Sequence, residues 1–88
     1  MSVVWKYEAP VLAEEFTLSM PAGAKVLCVQ VQNDRPCIWA LVDDTAERQE
    51  RWFSWRGTGH RVGDARTYLG TIQLRGGSLV FHLFEVGQ

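Results

Sequence analysis

An all-β fold, a small twisted antiparallel sandwich or barrel of about seven short strands, is predicted by three features of the chain. Apolar and polar residues alternate with period two in short runs, Gly, Pro and Asn punctuate those runs, and no stretch keeps a helical period for three turns. Val3, Trp5 and Tyr7 alternate with Val4, Lys6 and Glu8 as a first strand that Pro10 ends. Phe16, Leu18 and Met20 alternate with Glu15, Thr17 and Ser19 as a second, and Pro21-Ala22-Gly23 turns the chain. Leu27, Val29 and Val31 alternate with Cys28, Gln30 and Gln32, and the run resumes from Cys37 to Val42 after Asn33-Asp34 and Pro36. That is a β-hairpin, with residues tolerant of positive φ at a tight primed turn.

The stretch from Asp43 to Glu50 is polar without β alternation and is expected to be a loop or one short helical turn. Arg51 to Arg56 reads as extended, and Gly57-Thr58-Gly59-His60 with Gly63-Asp64 reads as a long loop. Tyr68, Gly70, Ile72 and Leu74 share one face of a further strand that Gly76-Gly77 turns. Leu79 to Val86 is apolar on both faces except at His82 and Glu85, which predicts a central strand or an edge that pairs with another subunit.

Eighty-eight residues make a single domain, 1–88, and a hydrophobic content of 47% supports a packed interior. The net charge of −1 argues against a general nucleic-acid binder, which needs a basic excess. The charge is uneven, however. Residues 48–75 hold Arg48, Arg51, Arg56, Arg61, Arg66 and Arg75 against Glu50 and Asp64. With no apolar h-region at the N-terminus and no apolar run long enough to span a bilayer, a cytoplasmic protein without membrane contact is expected. Cys28 and Cys37, near one another across the hairpin, are expected to be free thiols in that compartment.

The segments KYEAP at 6–10, VQVQNDRPCIWALVD at 29–43, GTGH at 57–60, YLGTIQL at 68–74 and GGSLVFHLFEV at 76–86 resemble a family of short all-β proteins encoded by phages and prophages, catalogued as a domain of unknown function. The resemblance covers almost the whole chain in the family's order. It departs at Asp34, where the family often has Gly, and at Arg61, where Pro is frequent. It implies a context of small accessory proteins that act by binding a host protein, a defence complex or a nucleotide signal. It supplies no catalytic residues.

Read from the residues, Arg56-Gly57-Thr58-Gly59-His60-Arg61 is the best local site. Two glycines let successive N–H groups converge on an anion, Thr58 adds a hydroxyl donor, and Arg56, Arg61 and His60 supply positive charge. The spacing matches neither a P-loop nor a dinucleotide fingerprint, and a tight loop with His60 capping a carbonyl is the plainer alternative. Phe53 and Trp55 fall on one face of their strand and Trp52, Ser54 and Arg56 on the other, so one set is expected to be exposed or at an interface. Trp52 or Trp55 is a candidate to stack a base, with Arg51 and Arg56 adding cation–π attraction. Trp39 is expected in the core, and Gln30 and Gln32 line a polar pocket or face water.

His82 is expected as a buried histidine satisfied by one hydrogen bond. The spacing of Cys28, Cys37, His60 and His82 fits no zinc pattern, and no cofactor is implied. Adjacent carboxylates at Glu14-Glu15 and Asp43-Asp44 point to opposite faces and suggest no acid–base pair. Together with the context that the resemblance implies, the expected function is a non-enzymatic homo-oligomeric binding protein that antagonises host defence by sequestering an anionic, nucleotide-like molecule. The ligand residues are Trp52, Trp55, Arg56, Gly57, Thr58, Gly59, His60 and Arg61. A protein inhibitor of a host defence complex is the alternative, and a small hydrolase using His60 or His82 is the third reading.

Overall fold

A computed structural model describes residues 1–11 and 13–87. It holds seven strands: β1 (Ser2–Glu8), β2 (Glu15–Pro21), β3 (Lys25–Gln32), β4 (Arg35–Asp43), β5 (Arg48–Gly57), β6 (Ala65–Leu74) and β7 (Leu79–Val86). They form two antiparallel sheets, sheet A in the order β1-β4-β3 and sheet B in the order β2-β5-β7-β6. The β3–β4 hairpin turns at Asn33 (φ 52°) and Asp34 (φ 63°), with Gln32 opposite Arg35. Asn and Asp tolerate that left-handed conformation, so Asp34 serves where Gly would be usual.

The inner faces meet as alternation predicts. Val3, Trp5 and Tyr7 lie opposite Val42, Ala40 and Ile38 in sheet A, and Phe16 lies opposite Phe53 and Trp55 opposite Leu83 in sheet B. Phe53, Met20, Ile38 and Leu83 are fully buried. Each stabilises the fold by roughly 2–3 kcal/mol relative to an exposed position. Phe16 stacks on Phe53 with centroids 5.5 Å apart, and Phe81 meets Trp55 edge-on at 6.3 Å. The seam between the sheets closes where Gly70 of β6 approaches β3, because a Cβ there would stand 3.1 Å from Val29 Cβ. On the other side Arg48 lies over the Trp5 ring, 4.9 Å from its centroid.

Several expectations fail for identifiable reasons. A β-bulge between Val26 and Cys28 adds Leu27 as an extra residue, so Leu27 is exposed while Val29 and Val31 keep to the core side. A second bulge between Tyr68 and Gly70 splits the face expected from Tyr68 to Leu74: Ile72 is buried and Tyr68 is 57% exposed. Trp39 is half-buried beside Cys28 on the outer face of sheet A, because its neighbours Ile38 and Ala40 face inward. The two thiols are free, but Cys37 lies opposite Gln30 and Cys28 opposite Trp39, two residues out of register with one another.

The polar stretch after β4 is strand from Arg48 onward, because β2 supplies a backbone template opposite Arg48, Gln49 and Glu50. Backbone pairing needs no alternation of side chains. Before it, Asp43 Oδ1 accepts hydrogen bonds from the Thr45 hydroxyl at 2.7 Å and backbone N–H at 3.0 Å. Those bonds hold its carboxyl below the usual carboxylate range. Finally, β7 is an interior strand flanked by β5 and β6, so no edge of it remains to pair with another subunit.

Candidate functional site

Sheet B sets the geometry of the Arg-rich segment. Both β5 and β6 run antiparallel to β7, which lies between them, so they are parallel to each other. The 58–64 link therefore has to carry the chain back along the sheet from the Gly57–Phe81 rung to the Ala65–Val86 rung.

Arg56 fastens this crossover. Its Nε donates to the Val62 carbonyl at 3.2 Å and its Nη1 to the Trp55 carbonyl at 3.2 Å and to the Ser54 hydroxyl. The guanidinium also stands 3.9 Å from Glu14 and 3.7 Å from Asp64, with its side chain only 13% exposed. Its charge is thus directed at protein groups, where an anion-binding loop would need it open. The Gly57–His60 segment is a hydrogen-bonded turn, with the His60 N–H donating to the Gly57 carbonyl at 3.0 Å and Gly59 at φ 88°. The His60 imidazole packs on Gly57, where a Cβ would come within 2.9 Å of the ring. Thr58, Gly59, His60 and Arg61 are exposed.

Trp55 does not serve as a stacking platform. It faces inward as alternation requires, is 4% exposed, and its Nε1–H donates to the Pro10 carbonyl at 3.0 Å. Trp52, on the opposite face, is 39% exposed. His82 also differs from expectation, since β7 presents it outward with both ring nitrogens engaged. Nε2 lies 2.8 Å from Thr58 Oγ1 and Nδ1 2.8 Å from Thr71 Oγ1, which in turn lies 2.5 Å from the Tyr68 hydroxyl. This hydrogen-bonded line ties the turn to β7 and β6. Phe84 packs edge-on against Tyr68 at 5.7 Å on the same outer face.

A second arrangement was not anticipated from sequence. Val86 of β7 pairs with Trp52, while β5 begins four residues earlier at Arg48, which leaves a notch beyond the end of β7. The notch has a volume of about 390 Å³, and Trp52, Arg66, Thr67 and Gln49 line it together with Glu50. Its floor is a bidentate ion pair, Arg51 Nε and Nη2 to Glu85 Oε2 and Oε1, each at 2.7 Å. Hydrogen bonding to Glu85 raises the guanidinium pKa further, so Arg51 stays charged. Arg66 makes no hydrogen bond or ion pair among the described residues, and Gly87 leaves room for its side chain, because a Cβ there would collide with it. The sequence signal for this site is the mismatch in strand length between β5 and β7, which becomes legible only once their register is known.

Among the described residues no three of His, Cys, Asp and Glu converge on a metal site, and no helix is long and apolar enough to cross a membrane. The chain is thus a two-sheet all-β domain with an aromatic outer face and a polar notch at the end of an interior strand. It belongs to the family described as Domain of unknown function (DUF7352), whose model matches residues 1–88. No curated protein and no solved structure matches the chain.

Proposed function

We propose that the chain is a non-enzymatic binding protein that takes up a small, anionic, nucleotide-like molecule at the notch beside Trp52. The observation that carries this reading is the exposed Trp52 ring next to Arg66, a guanidinium without an ion-pair partner among the described residues. Stacking a base on such a ring contributes about 1–3 kcal/mol, and Arg66 offers a fork of donors to a phosphate. Thr67 and Gln49 add neutral hydrogen-bonding groups on the same walls. The site moves from the GTGH turn to the notch because Arg56 is engaged within the protein. The resemblance to phage-encoded accessory proteins suggests the setting, withholding a signal nucleotide from host defence in the host cytoplasm.

A thermal-shift screen against cyclic and linear nucleotides tests this, since a ligand of the folded state raises the melting temperature. A rise that Trp52→Ala and Arg66→Ala abolish and Arg61→Ala leaves intact is expected, with the ligand recovered unaltered after denaturation. No shift with any nucleotide overturns the reading.

A specific observation favours a second reading, contact with a protein. Val4, Leu27 and Leu41 are exposed on sheet A, and Val4 and Leu41 are direct cross-strand neighbours. Such a patch suits a host protein or a second copy of the chain. Leu41→Glu would then lower the mass seen by light scattering, or abolish capture of the host partner, without lowering the melting temperature. The hydrolase reading ranks last, because His82 holds both nitrogens against threonine hydroxyls and no oriented acidic partner stands beside it among the described residues.

A further inference from the structure

We propose that the groove at the hairpin-tip end of the sandwich, walled by Val11, Leu74, Leu79 and Phe81, is a separate binding site for an apolar molecule that carries a single anionic group. The groove has a volume of about 670 Å³, larger than the notch and within the range of small-molecule sites. Its walls are aliphatic and aromatic, and Leu79 remains 36% exposed there. Two charged residues complete the lining, Asp34 from the β3–β4 turn and Arg75 from the β6–β7 turn. Neither makes an ion pair among the described residues, although they line the same groove.

Arg75 is the telling residue. Its φ is 52°, and Gly76 and Gly77 follow at 65° and 94°, so the turn runs through three successive left-handed residues. Glycine takes that conformation freely and Asn tolerates it, as Asn33 does in the other turn, whereas a long side chain such as Arg adopts it at a cost. A strained residue with no internal partner for its charge is the pattern expected where a side chain is kept for an outside group. An apolar body seated on Leu79 and Phe81 would place its anionic end at the guanidinium. Asp34 on the same rim disfavours a second negative charge, which separates this ligand class from the nucleotides considered for the notch.

The test uses the whole chain, with anilinonaphthalene sulfonate as a fluorescent probe and decanoate, decanol and the dianion of decanedioic acid as competitors. Saturable one-to-one binding is expected, displaced by decanoate and about tenfold or more less readily by decanol, the fold-change of one charge-assisted hydrogen bond. Arg75→Asn should weaken probe and decanoate by about the same factor while the melting temperature holds or rises, because Asn relieves the strain. Arg75→Lys keeps the charge and should retain most of the binding. Asp34→Asn should admit the dianion. Trp52→Ala should change none of this, so failure here and failure of the nucleotide site are distinguishable. Equal affinity for decanol and decanoate, full binding by Arg75→Asn, or absence of saturable binding overturns the proposal.

Discussion

The two sheets place their charges differently. In sheet A, Arg35 and Glu8 pair at 3.2 Å across β4 and β1 with side chains 70% and 57% exposed. In sheet B, Arg51 and Glu85 pair bidentately at 2.7 Å with side chains 19% and 25% exposed, and Arg56 and His82 hold the crossover loop to the strands. Sheet A is built from one tight hairpin and an added strand, and its connections ask little of side chains. Sheet B contains parallel neighbours β5 and β6 of an interior strand, so its chain must cross back over the sheet and be secured there. Polar residues that look available for a ligand in sequence are, at Arg56 and Thr58, parts of that fastening.

Breaking each ion pair sharpens this contrast most. Glu85→Ala leaves a half-buried guanidinium without its carboxylate and should cost about 3 kcal/mol, whereas Glu8→Ala should cost about 0.5 kcal/mol or less. Urea denaturation of both variants measures the difference, and equal losses would remove the distinction between the sheets. Next in size, Gly70→Ala forces a methyl to 3.1 Å from Val29 Cβ at the seam and should cost about 2 kcal/mol. Val29→Ala in the same chain removes the Cγ2 that the new methyl would meet at 3.3 Å but keeps the Cβ at 3.1 Å, so it should recover only a small part of that loss. Arg56→Ala should lower global stability by about 1–2 kcal/mol and raise amide exchange in residues 58–64 above that of the β3–β4 turn. A loop that exchanges no faster would show that other contacts hold the crossover.

The last effect lies in sheet A and has the opposite sign. The Tyr7 hydroxyl is a buried polar atom with no partner among the described residues, and burial raises its pKa above the ordinary tyrosine value against the opposing pull of Arg48 and Arg51. Tyr7→Phe should therefore stabilise the fold by about 1 kcal/mol. A raised folded-state pKa means that stability is fully present below the unfolded tyrosine pKa and is lost as pH rises through the folded one. The wild-type chain should lose stability in that alkaline window, and Tyr7→Phe should lose less of it. Melting curves from neutral to alkaline pH check both.

The fold was largely legible because the strongest signal, period-two alternation, is written locally at Phe16-Leu18-Met20 and through β4. The candidate site was legible in part: alternation placed Trp52 on the face opposite Phe53 and Trp55, which the structure shows. What failed was extrapolation past the bulges, where one extra residue at Leu27 or Leu69 reverses the faces: no Gly or Pro adjoins Leu27, and Gly70 beside Leu69 fits the alternation of its strand as well as it fits a bulge. Trp55 and His82 failed for a related reason, since aromatic and imidazole groups suit a binding face and a packed strand equally.

By itself the sequence determined the strands, most of their inward faces and the Asn33-Asp34 turn, because these depend on backbone preference and on neighbours two residues apart. The tertiary structure alone decided that β7 is interior, that the 58–64 link is a crossover, that Arg51 meets Glu85, and that a notch and a groove exist. Those depend on register and strand order between distant segments, and the pairing energy that selects them is a property of both partners, written in neither segment alone.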